Sequence, residues 1–577
     1  MRFKILLTLF VLCVYMGIAK EMPGANIPWT TYEAERMHTN GIIIGPEYSP
    51  YKVATESSGQ RCVKLTAKNQ YAEFTATAIA NTMVIRFSLP DSKDGNGQTS
   101  TLGIYTNGIL NQQKKVNSGC SWLYGKYPFS NNTGAGSPRH FYDEIRLTGL
   151  TVKKGDVIRI QREDHANDDA AYCIIDLVDL ENVTPPLQAP ANYISITDKS
   201  IGGHTNGDYT QAFKNCIDEA IKTGKTVWIP VGVFKITGDI PLPANLKIIG
   251  AGMWYSQLVG DKNLYKNADK RIRLIGRGSN IHLADFAITG NLNYRSDREA
   301  NDGIVGSFGT NSTIARIWIE HTKVGMWIEN SQNLKITDCR MRNTMADGIN
   351  FCVGMNRSTI ENCTARGTGD DCFAIWPAVF AKQQFEPGHN LIKNCTAQLP
   401  YLANGAAIYG GNSNQIESCS FADITQGSAI LVSTTFPTEN ADKSINNNFS
   451  GITTIKNCKI ETSGGFDHEW DWRAAIEICL DKRSINGIVI KDIKIRNSLS
   501  NAVSVIAKNK DNMVGTLNNA QLQNINIENY SVGVKNKYAL YVSNGAKGYL
   551  NINKSNLSKI YNNSSEFKVL NKNSSKR

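Results

Sequence analysis

The C-terminal two thirds of the chain repeat one short phrase. It recurs as IHLADFAITGN, LKITDCRMRNT, STIENCTARGT, NLIKNCTAQLP, NQIESCSFADI and TTIKNCKIETS, and a second phrase such as ADGINF, DDCFAIW or GAAIYGG follows most copies after a turn. Two or three short strands in every ~24 residues predict a right-handed parallel β-helix, in which each coil stacks on the next. Leucine-rich repeats have a similar length, but they need leucines at fixed offsets, and these phrases carry Ile, Val and Cys instead.

One amphipathic segment precedes the repeats. In YTQAFKNCIDEAIKTG, apolar residues recur at helical spacing; they are Ala212, Phe213, Cys216, Ile217, Ala220 and Ile221. The segment predicts a single helix that caps the first coil and covers its open sheet edge.

The N-terminal part has a different pattern. Residues 20–183 alternate short β-rich runs with Gly, Asn and Asp turns, which is typical of a β-sandwich, here expected as a jelly roll. The Pro-rich stretch TPPLQAPAN, residues 184–192, is predicted to be a linker, so that the β-helix spans residues 193–577. The predicted fold class is therefore all-β, with one helix.

The first residues predict export. Residues 1–19 place Arg2 and Lys4 before an apolar run that ends at Ala19, a pattern typical of a signal peptide. The run is shorter than the ~20 residues that span a bilayer, and no other stretch is apolar enough to do so. We expect a secreted, periplasmic or cell-surface protein. The formal charge of +11 is spread over 577 residues without a dense basic block, which disfavours nucleic-acid binding. A monomer is expected.

The cysteines indicate buried thiols more than disulfides. Of the 13 cysteines, five occupy the same place in successive phrases, which predicts a stacked ladder; they are Cys339, Cys363, Cys395, Cys419 and Cys458. Cys62, Cys120 and Cys173 in the N-terminal part remain candidates for pairing.

Three aspartates carry the predicted chemistry. Aligning Cys339 with Cys363 gives an offset of 24 residues, which stacks Asp347 on Asp371, with Asp370 beside them. Residues one coil apart lie about 4.8 Å from each other. Mutual repulsion then raises the pKa of at least one carboxyl group, which provides a protonated acid beside ionised bases. These are the groups that glycosidic bond hydrolysis requires, and room for a water molecule implies inversion.

Other interpretations of the trio remain open at this point. Asp and Asn are frequent at β-helix corners, and clustered aspartates can bind Ca²⁺, as in polysaccharide lyases. A lyase acting on an acidic polysaccharide and a non-catalytic glycan-binding solenoid are the competing hypotheses.

The pair ADGINF and GTGDDCFAIW, one coil apart behind a sandwich, resembles glycoside hydrolase family 87, the α-1,3-glucanases (mutanases) and mycodextranases. The resemblance implies an enzyme that cleaves α-1,3-glucan, or a related α-glucan such as nigeran, without a cofactor. It implies that Asp370 is the general acid and that Asp347 and Asp371 position and deprotonate the water.

Polygalacturonases also carry a GDD pair on a β-helix, followed by Gly-His-Gly and Arg-x-Lys. Here the next coil reads NGAAIYGG without histidine, which weakens the galacturonan-hydrolase alternative.

Substrate-binding residues are expected on the same face in adjacent coils. The candidates are Trp327, Asn350, Trp376, Tyr409, Trp470, Trp472 and Glu477. The inserted segment 377–390 is expected to form one wall of a cleft, and the EWDW run at residues 469–472 the other.

The sandwich carries a second resemblance. Its YEAE opening, SWLYG, RHFYDEIR and IDLVDLE are similar to carbohydrate-binding modules of the family 6 and 35 type. The two acidic phrases at its ends suit a structural Ca²⁺, and the resemblance implicates Glu33, Glu35 and Asp176 as ligands. It also makes Trp122, Tyr124 and Tyr142 candidates for stacking on sugars.

Overall fold

A computed structural model describes residues 22–127, 129–436, 446–469, 471–508 and 514–571. The predicted signal peptide and Trp470 lie outside the described residues. No helix in the described part of the chain is long and apolar enough to cross a membrane.

The C-terminal part is a parallel β-helix whose strands form two sheets. The 12-stranded sheet consists of Asp239–Leu242, Arg273–Arg277, Gly303–Thr310, Met326–Gln332, Ile349–Phe351, Phe373–Ile375, Ala406–Ile408, Ile430–Ser433, Ile476–Leu480, Val503–Ala507, Leu540–Val542 and Ile560–Asn562. The 21-stranded sheet consists of Tyr193–Ser195, Thr226–Ile229, Gly232–Ile236, Lys247–Gly250, Ser256–Gly260, His282–Thr289, Thr313–Glu320, Lys335–Thr337, Arg340–Arg342, Thr359–Glu361, Thr364–Arg366, Leu391–Lys393, Thr396–Gln398, Gln415–Glu417, Ser420–Ile424, Thr453–Lys456, Lys459–Ser463, Ile488–Ser498, Thr516–Tyr530, Lys547–Asn553 and Phe567–Asn571. The predicted all-β class is confirmed.

The alternation of the repeat decides which side chains enter the core. In the strand Ile349–Phe351, both end residues point into the coil, where they join one continuous hydrophobic core, while Asn350 points outward. The same alternation holds in Ile476–Leu480, where Glu477 points outward. The outward residues of each strand in the 12-stranded sheet therefore lie in line with those of its neighbours.

The Asn-Cys corners have a simple backbone cause. Asn362, Asn394 and Asn457 have φ of 53°, 49° and 53° in the left-handed region, which Asn tolerates better than most residues. The cysteine that follows each of them turns inward and is buried, as the ladder prediction requires. A side-chain bond from Asn362 Nδ2 to Asp338 Oδ1, 2.6 Å long, links two successive corners.

The predicted capping helix is present as Thr210–Thr223. It packs against the first coil through a buried face that includes Phe213 and Ile217, and it ends at Gly224, whose φ is 68°. Ile221, predicted to belong to that face, is 43% exposed, because it lies about 100° around the helix from Ala220.

The N-terminal part consists of antiparallel sheets. The six-stranded sheet contains Trp29–Glu33, Ile42–Ile44, Cys62–Leu65, Ala80–Ser88, Asp143–Val152 and Cys173–Glu181. The five-stranded sheet contains His38–Thr39, Tyr71–Thr75, Thr99–Thr106, Ile109–Asn117 and Val157–Arg162, and Trp122–Leu123 pairs with Arg139–His140. Short 3₁₀ turns occur at Ala34–Arg36, Ser58–Gln60, Lys199–Ile201 and Ala268–Lys270. One hydrophobic core joins the two larger sheets. Cys62, Cys120 and Cys173 are free thiols, so none of them forms a disulfide.

Buried ion pairs fasten the sandwich to the β-helix. Arg366 contacts Glu144 at 2.5 Å and Asp179 at 2.7 Å, and all three side chains are at most 5% exposed. Arg340 bonds both carboxylate oxygens of Glu181 at 2.7 Å. In each case the arginine comes from the β-helix and the carboxylates from the sandwich.

A histidine adds to the same interface. His321 of the β-helix lies 2.7 Å from Asp143 of the sandwich, and Asn343 donates to the same carboxylate oxygen at 2.7 Å. Burial lowers the pKa of His321, but the Asp143 carboxylate raises it more, to about 9. The imidazole of His321 is therefore protonated at neutral pH.

Candidate active site

The structure brings Asp347, Asp370 and Asp371 together at the N-terminal ends of two neighbouring strands. Ile349 pairs with Phe373, so the offset of 24 residues is the one predicted. One carboxylate oxygen from each of the three aspartates lies within 4.8 Å of the other two. The Asp370 side chain is 25% exposed, whereas Asp347 and Asp371 are 7% and 3% exposed.

Glycines beside the aspartates allow the coils to stack this closely. A Cβ atom on Gly348 would lie 2.4 Å from the Cys372 carbonyl oxygen. One on Gly369 would lie 2.3 Å from the Met345 carbonyl oxygen and 2.3 Å from the Tyr401 hydroxyl. These positions explain the Gly in ADGINF and the Gly before the aspartate pair in GTGDD.

Arg295 is the cation of the site. Its Nη2 contacts Asp370 Oδ2 at 2.7 Å, and its Nη1 donates to the Gly369 carbonyl oxygen at 2.7 Å. Asp297 holds the other edge of the guanidinium, with Nε to Oδ1 at 2.9 Å. Arg295 is itself buried, and it forms ion pairs with both Asp370 and Asp297.

The other two carboxyl groups have raised pKa values. Burial raises the pKa of Asp347 well above its ordinary value, and repulsion from Asp370 and Asp371 adds to it. Burial, followed by repulsion from Asp370, raises the pKa of Asp371 to about 7. Asp371 accepts hydrogen bonds from Asn404 Nδ2 and Tyr409 Oη, both at 2.8 Å, and these bonds limit the rise. Burial and the neighbouring carboxyl groups therefore favour the protonated form of Asp347.

The trio lies in a groove of about 620 Å³. Of the predicted substrate-binding residues, Trp327, Asn350, Trp376 and Tyr409 line it. Asn350 Nδ2 donates to Asp347 Oδ2 at 3.2 Å, and its Oδ1 is buried without a hydrogen-bond partner. The Trp376 indole N–H is also buried without a partner, which leaves it for a ligand hydroxyl.

The remaining candidates have different surroundings. Glu477 lines an adjoining cavity of about 120 Å³, where its carboxylate pairs with Arg473 at 3.0 Å. Trp472 does not line either cavity; its ring packs on Phe466 with centroids 5.7 Å apart. Trp472 lies outside the strands, so the strand alternation does not place it, and its role in substrate binding stays a prediction.

Several residues of the groove were not predicted. Phe380, from the inserted segment 377–390, and Phe436 are exposed and pack against Trp376 with tilted rings, their centroids 6.1 and 5.5 Å from it. Tyr127 comes from the sandwich, lines both cavities and donates to Asp297 at 3.2 Å. The sandwich therefore contributes directly to the groove, and the insertion forms a wall, as expected.

The aromatic residues suggested for the sandwich are mostly occupied. Tyr142 is fully buried and donates to the Val53 carbonyl oxygen at 2.8 Å, so it cannot stack on a sugar. Tyr124 is buried and donates to Asp91 at 2.7 Å. The Trp122 ring stacks on His140 at 4.2 Å.

The residues suggested for calcium lie around Ser58. Glu33 accepts from the Ser58 hydroxyl at 3.0 Å, and Asp176 from the Ser58 N–H at 2.9 Å. The second carboxylate oxygens of Glu33 and Glu35 are buried without hydrogen-bond partners. Asp176 differs, because Arg86 already pairs with it at 2.5 Å.

Comparison with known proteins identifies this arrangement. The chain is a glycoside hydrolase: it combines a β-helix with three clustered carboxyl groups in an aromatic groove, and both family models that match it are models of a glucanase. More particularly, the chain belongs to the family of α-1,3-glucanase catalytic domains. Residues 26–183 match the model for α-1,3-glucanase catalytic domain D1, and residues 205–574 match the model for domain D2.

Solved structures agree with the family. The catalytic unit of a thermostable GH87 α-1,3-glucanase from Streptomyces thermodiastaticus strain HF3-3 is 28% identical, with a TM-score of 0.75 over 95% of this chain and 96% of that one. A GH87 α-1,3-glucanase catalytic domain in complex with nigerose is 28% identical, with a TM-score of 0.78 over 95% of this chain and 100% of that one.

Three further GH87 structures each carry an aspartate-to-alanine substitution. The three substituted positions are separated by 23 residues and then by one residue, as are Asp347, Asp370 and Asp371.

One curated protein is also similar. The preneck appendage protein of Bacillus phage PZA is 24% identical over 197 residues, which are 30% of this chain and 21% of the phage protein. The chain thus spans about a fifth of that relative, and the family models decide the assignment.

Proposed function

We propose that this protein hydrolyses α-1,3-glucosidic bonds in an α-glucan polymer, with Asp347, Asp370 and Asp371 as the catalytic groups. The observation that carries the proposal is the trio itself, three carboxyl groups within 4.8 Å at the floor of the groove with a proton held among them. The matched spacing of the aspartates substituted in the GH87 structures supports it.

The reaction needs one proton donor and one proton acceptor. Asp370, the most exposed of the three, protonates the glycosidic oxygen as its bond to C1 breaks. Asp347 and Asp371, deeper in the floor, hold the water that attacks C1 and accept its proton. Because the raised pKa of Asp347 favours its protonated form, Asp347 must pass its proton to Asp370 before it can act as the base.

Stereochemistry separates two versions of this mechanism. Room for a water molecule among the carboxyl groups predicts inversion, in which acid and base are generally about 6.5–9.5 Å apart. The nearest carboxylate oxygens here lie within 4.8 Å, close to the ~5–5.5 Å of retaining enzymes. Proton NMR of the first product decides: cleavage of an α-linkage by inversion releases the β-anomer initially, and retention releases the α-anomer.

Substitution of the trio tests the proposal directly. Asp347→Asn, Asp370→Asn and Asp371→Asn should each lower reducing-sugar release from α-1,3-glucan by at least about a thousandfold with unchanged thermal midpoints. A glycosyl fluoride, whose leaving group needs little protonation, should restore turnover in Asp370→Asn more than in the other two. Activity within tenfold of wild type in any two variants would refute the assignment.

A metal-dependent lyase is the second candidate, because the same three carboxylates are close enough to share a cation. Unsaturated products that absorb in the ultraviolet and disappear on chelation would support it. Chelator-resistant release of reducing sugar without that absorbance supports hydrolysis.

Substrate contacts follow from the groove. We propose that Trp327, Trp376 and Tyr409 contact glucose units, that Asn350 orients Asp347, and that Glu477 acts in the adjoining cavity through Arg473. The unpartnered Trp376 N–H provides a donor for a sugar hydroxyl.

A structural Ca²⁺ in the sandwich is a separate proposal. Glu33 and Glu35 fit it, because each has a buried carboxylate oxygen without a partner, whereas Asp176 is committed to Arg86. Calcium would hold the two carboxylates together and stabilise the folded protein. Chelation should lower the thermal midpoint of the wild type, and Glu35→Gln should remove that response, whereas Glu566→Gln, on the surface, should keep it.

Two wider proposals concern export and carbohydrate binding by the sandwich. Export follows from the signal-peptide pattern of residues 1–19, and secretion assays of the full chain in its host test it. Carbohydrate binding by the sandwich is supported by Tyr127, which reaches the catalytic groove, so we expect the sandwich to bind substrate as part of that groove.

A further inference from the structure

Three tyrosines form a ladder near the C-terminal end of the β-helix. The rings of Tyr538, Tyr541 and Tyr561 are nearly parallel, with interplanar angles of 20°, 16° and 10° and centroids 6.0, 4.9 and 6.1 Å apart. Tyr561 is 42% exposed, and the Lys559 ammonium lies 4.6 Å from the Tyr538 ring centre.

The ladder lies on the face that carries the catalytic groove. Strand pairing through the 12-stranded sheet connects outward residues one to the next, in the order Trp327, Asn350, Ala374, Ala407, Leu431, Glu477, Ser504, Tyr541 and Tyr561. Six coil steps of about 4.8 Å place Tyr541 about 29 Å from Asn350. The loop that carries Asp467 and Arg473 lies along this line. Burial raises the pKa of Tyr541, and the nearby Tyr561 and Asp471 raise it further.

The core does not need these rings. In the strand Leu540–Val542 both end residues are fully buried in the coil, so Tyr541 stands outside it. The three rings stack on one another, and Tyr561, at 42% exposure, presents the most accessible part of this aromatic surface together with its hydroxyl group. Such surfaces suit pyranose rings, which have apolar C–H faces and polar rims.

We propose that Tyr538, Tyr541 and Tyr561 form a second glucan-binding surface, which holds the same polymer chain or particle about 29 Å from the bond being cleaved. The inference rests on the proposed function for the identity of the polymer. Its occupant is the α-glucan because the surface continues the line of the catalytic groove. Such a surface raises the local concentration of enzyme on an insoluble substrate and leaves the chemistry unchanged.

The test compares insoluble and soluble substrates. In an Asp371→Asn background, which preserves the polymer, the double variant Tyr541→Ala/Tyr561→Ala should bind insoluble α-1,3-glucan about tenfold more weakly in depletion assays. In the active protein the same pair should slow hydrolysis of the insoluble polymer several-fold. Cleavage of soluble α-1,3-linked oligosaccharides too short to span about 29 Å should stay within about twofold of wild type.

Two controls keep the result interpretable. Tyr549→Ala removes a tyrosine of 36% exposure from the 21-stranded sheet, and it should bind like wild type. Tyr541→Phe/Tyr561→Phe keeps the rings and should restore binding even if the alanine pair loosens the last coils. Unchanged binding in the alanine pair, equal loss in Tyr549→Ala, or phenylalanine variants as weak as alanine variants would each overturn the surface.

The outcome also separates this inference from the proposed function. A wild type that binds α-1,3-glucan through the tyrosines but releases no sugar would contradict the hydrolase proposal alone. A wild type that cleaves the polymer with no dependence on the tyrosines would contradict the surface alone. If it neither binds nor cleaves, both proposals fail.

Discussion

The hydrogen bond from the Tyr409 hydroxyl to Asp371 should set the pH below which activity is lost. Asp371 receives three hydrogen bonds, from Asn404 N at 3.1 Å, Asn404 Nδ2 at 2.8 Å and Tyr409 Oη at 2.8 Å. All three favour its ionised form, against burial and the Asp370 charge, which raise its pKa to about 7. Tyr409→Phe removes one of the three and leaves the ring in place.

The size of the effect follows from the energy of that bond. A hydrogen bond to a charged group contributes about 1.5–3 kcal/mol, and one pKa unit corresponds to about 1.4 kcal/mol. The substitution should therefore raise the pKa of Asp371 by about one to two pH units. If Asp371 must be ionised to accept a proton from water, the acidic limb of kcat/KM moves upward by the same amount and the alkaline limb stays in place.

The assay is kcat/KM for a soluble α-1,3-linked oligosaccharide between pH 4 and 9. On the acidic side, Tyr409→Phe should be about 10- to 100-fold slower than wild type at a given pH, and the difference should shrink as pH rises. Tyr401→Phe is the matched control, because its buried hydroxyl donates to the Thr344 carbonyl oxygen at 2.8 Å and not to a carboxylate. An unmoved acidic limb, or the same movement in the control, would refute the reasoning.

Two further predictions concern the interface between sandwich and β-helix. Arg366→Met leaves two buried carboxylates without their shared cation and should lower the free energy of unfolding by about 3–5 kcal/mol in urea titrations, whereas Arg316→Met, at a half-exposed ion pair, should cost less than about 1 kcal/mol. Equal losses would contradict the buried-charge argument. Because the pKa of His321 is raised in the folded protein, its pairing with Asp143 stabilises fully below about pH 6.5 and is lost as pH rises through about 9. His321→Gln should thus be destabilised most at pH 6, by up to about 3 kcal/mol, and match wild type near pH 10; a gap that widens with pH would contradict it.

What the sequence predicted best are the features that the repeat imposes. Strand pairing keeps the same offset of 24 residues throughout the two coils that contain Cys339 and Cys363. The alignment of these cysteines therefore also places Asp347 over Asp371. The alternation of inward and outward residues likewise placed Trp327 and Asn350 on the groove floor.

What the sequence did not reveal comes from outside the repeat. Arg295 lies in the loop between the strands His282–Thr289 and Gly303–Thr310, and Tyr127 lies in the sandwich, so no periodicity relates either residue to the aspartates. Trp472 also lies outside the strands, so the repeat does not predict which way its ring points. A buried arginine that contacts Asp370 carries no local signal in one sequence, because Asp370 is 75 residues away along the chain.

The ion pairs between sandwich and β-helix have a consequence for engineering and for descent. A guanidinium such as that of Arg366 finds its counter-charges, Glu144 and Asp179, only in the other half of the molecule. Joining the sandwich of one homologue to the β-helix of another would leave unpaired charges in the buried interface unless the residues on both sides of the interface were transferred together. The sandwich and the β-helix should therefore have been inherited together as one unit during evolution.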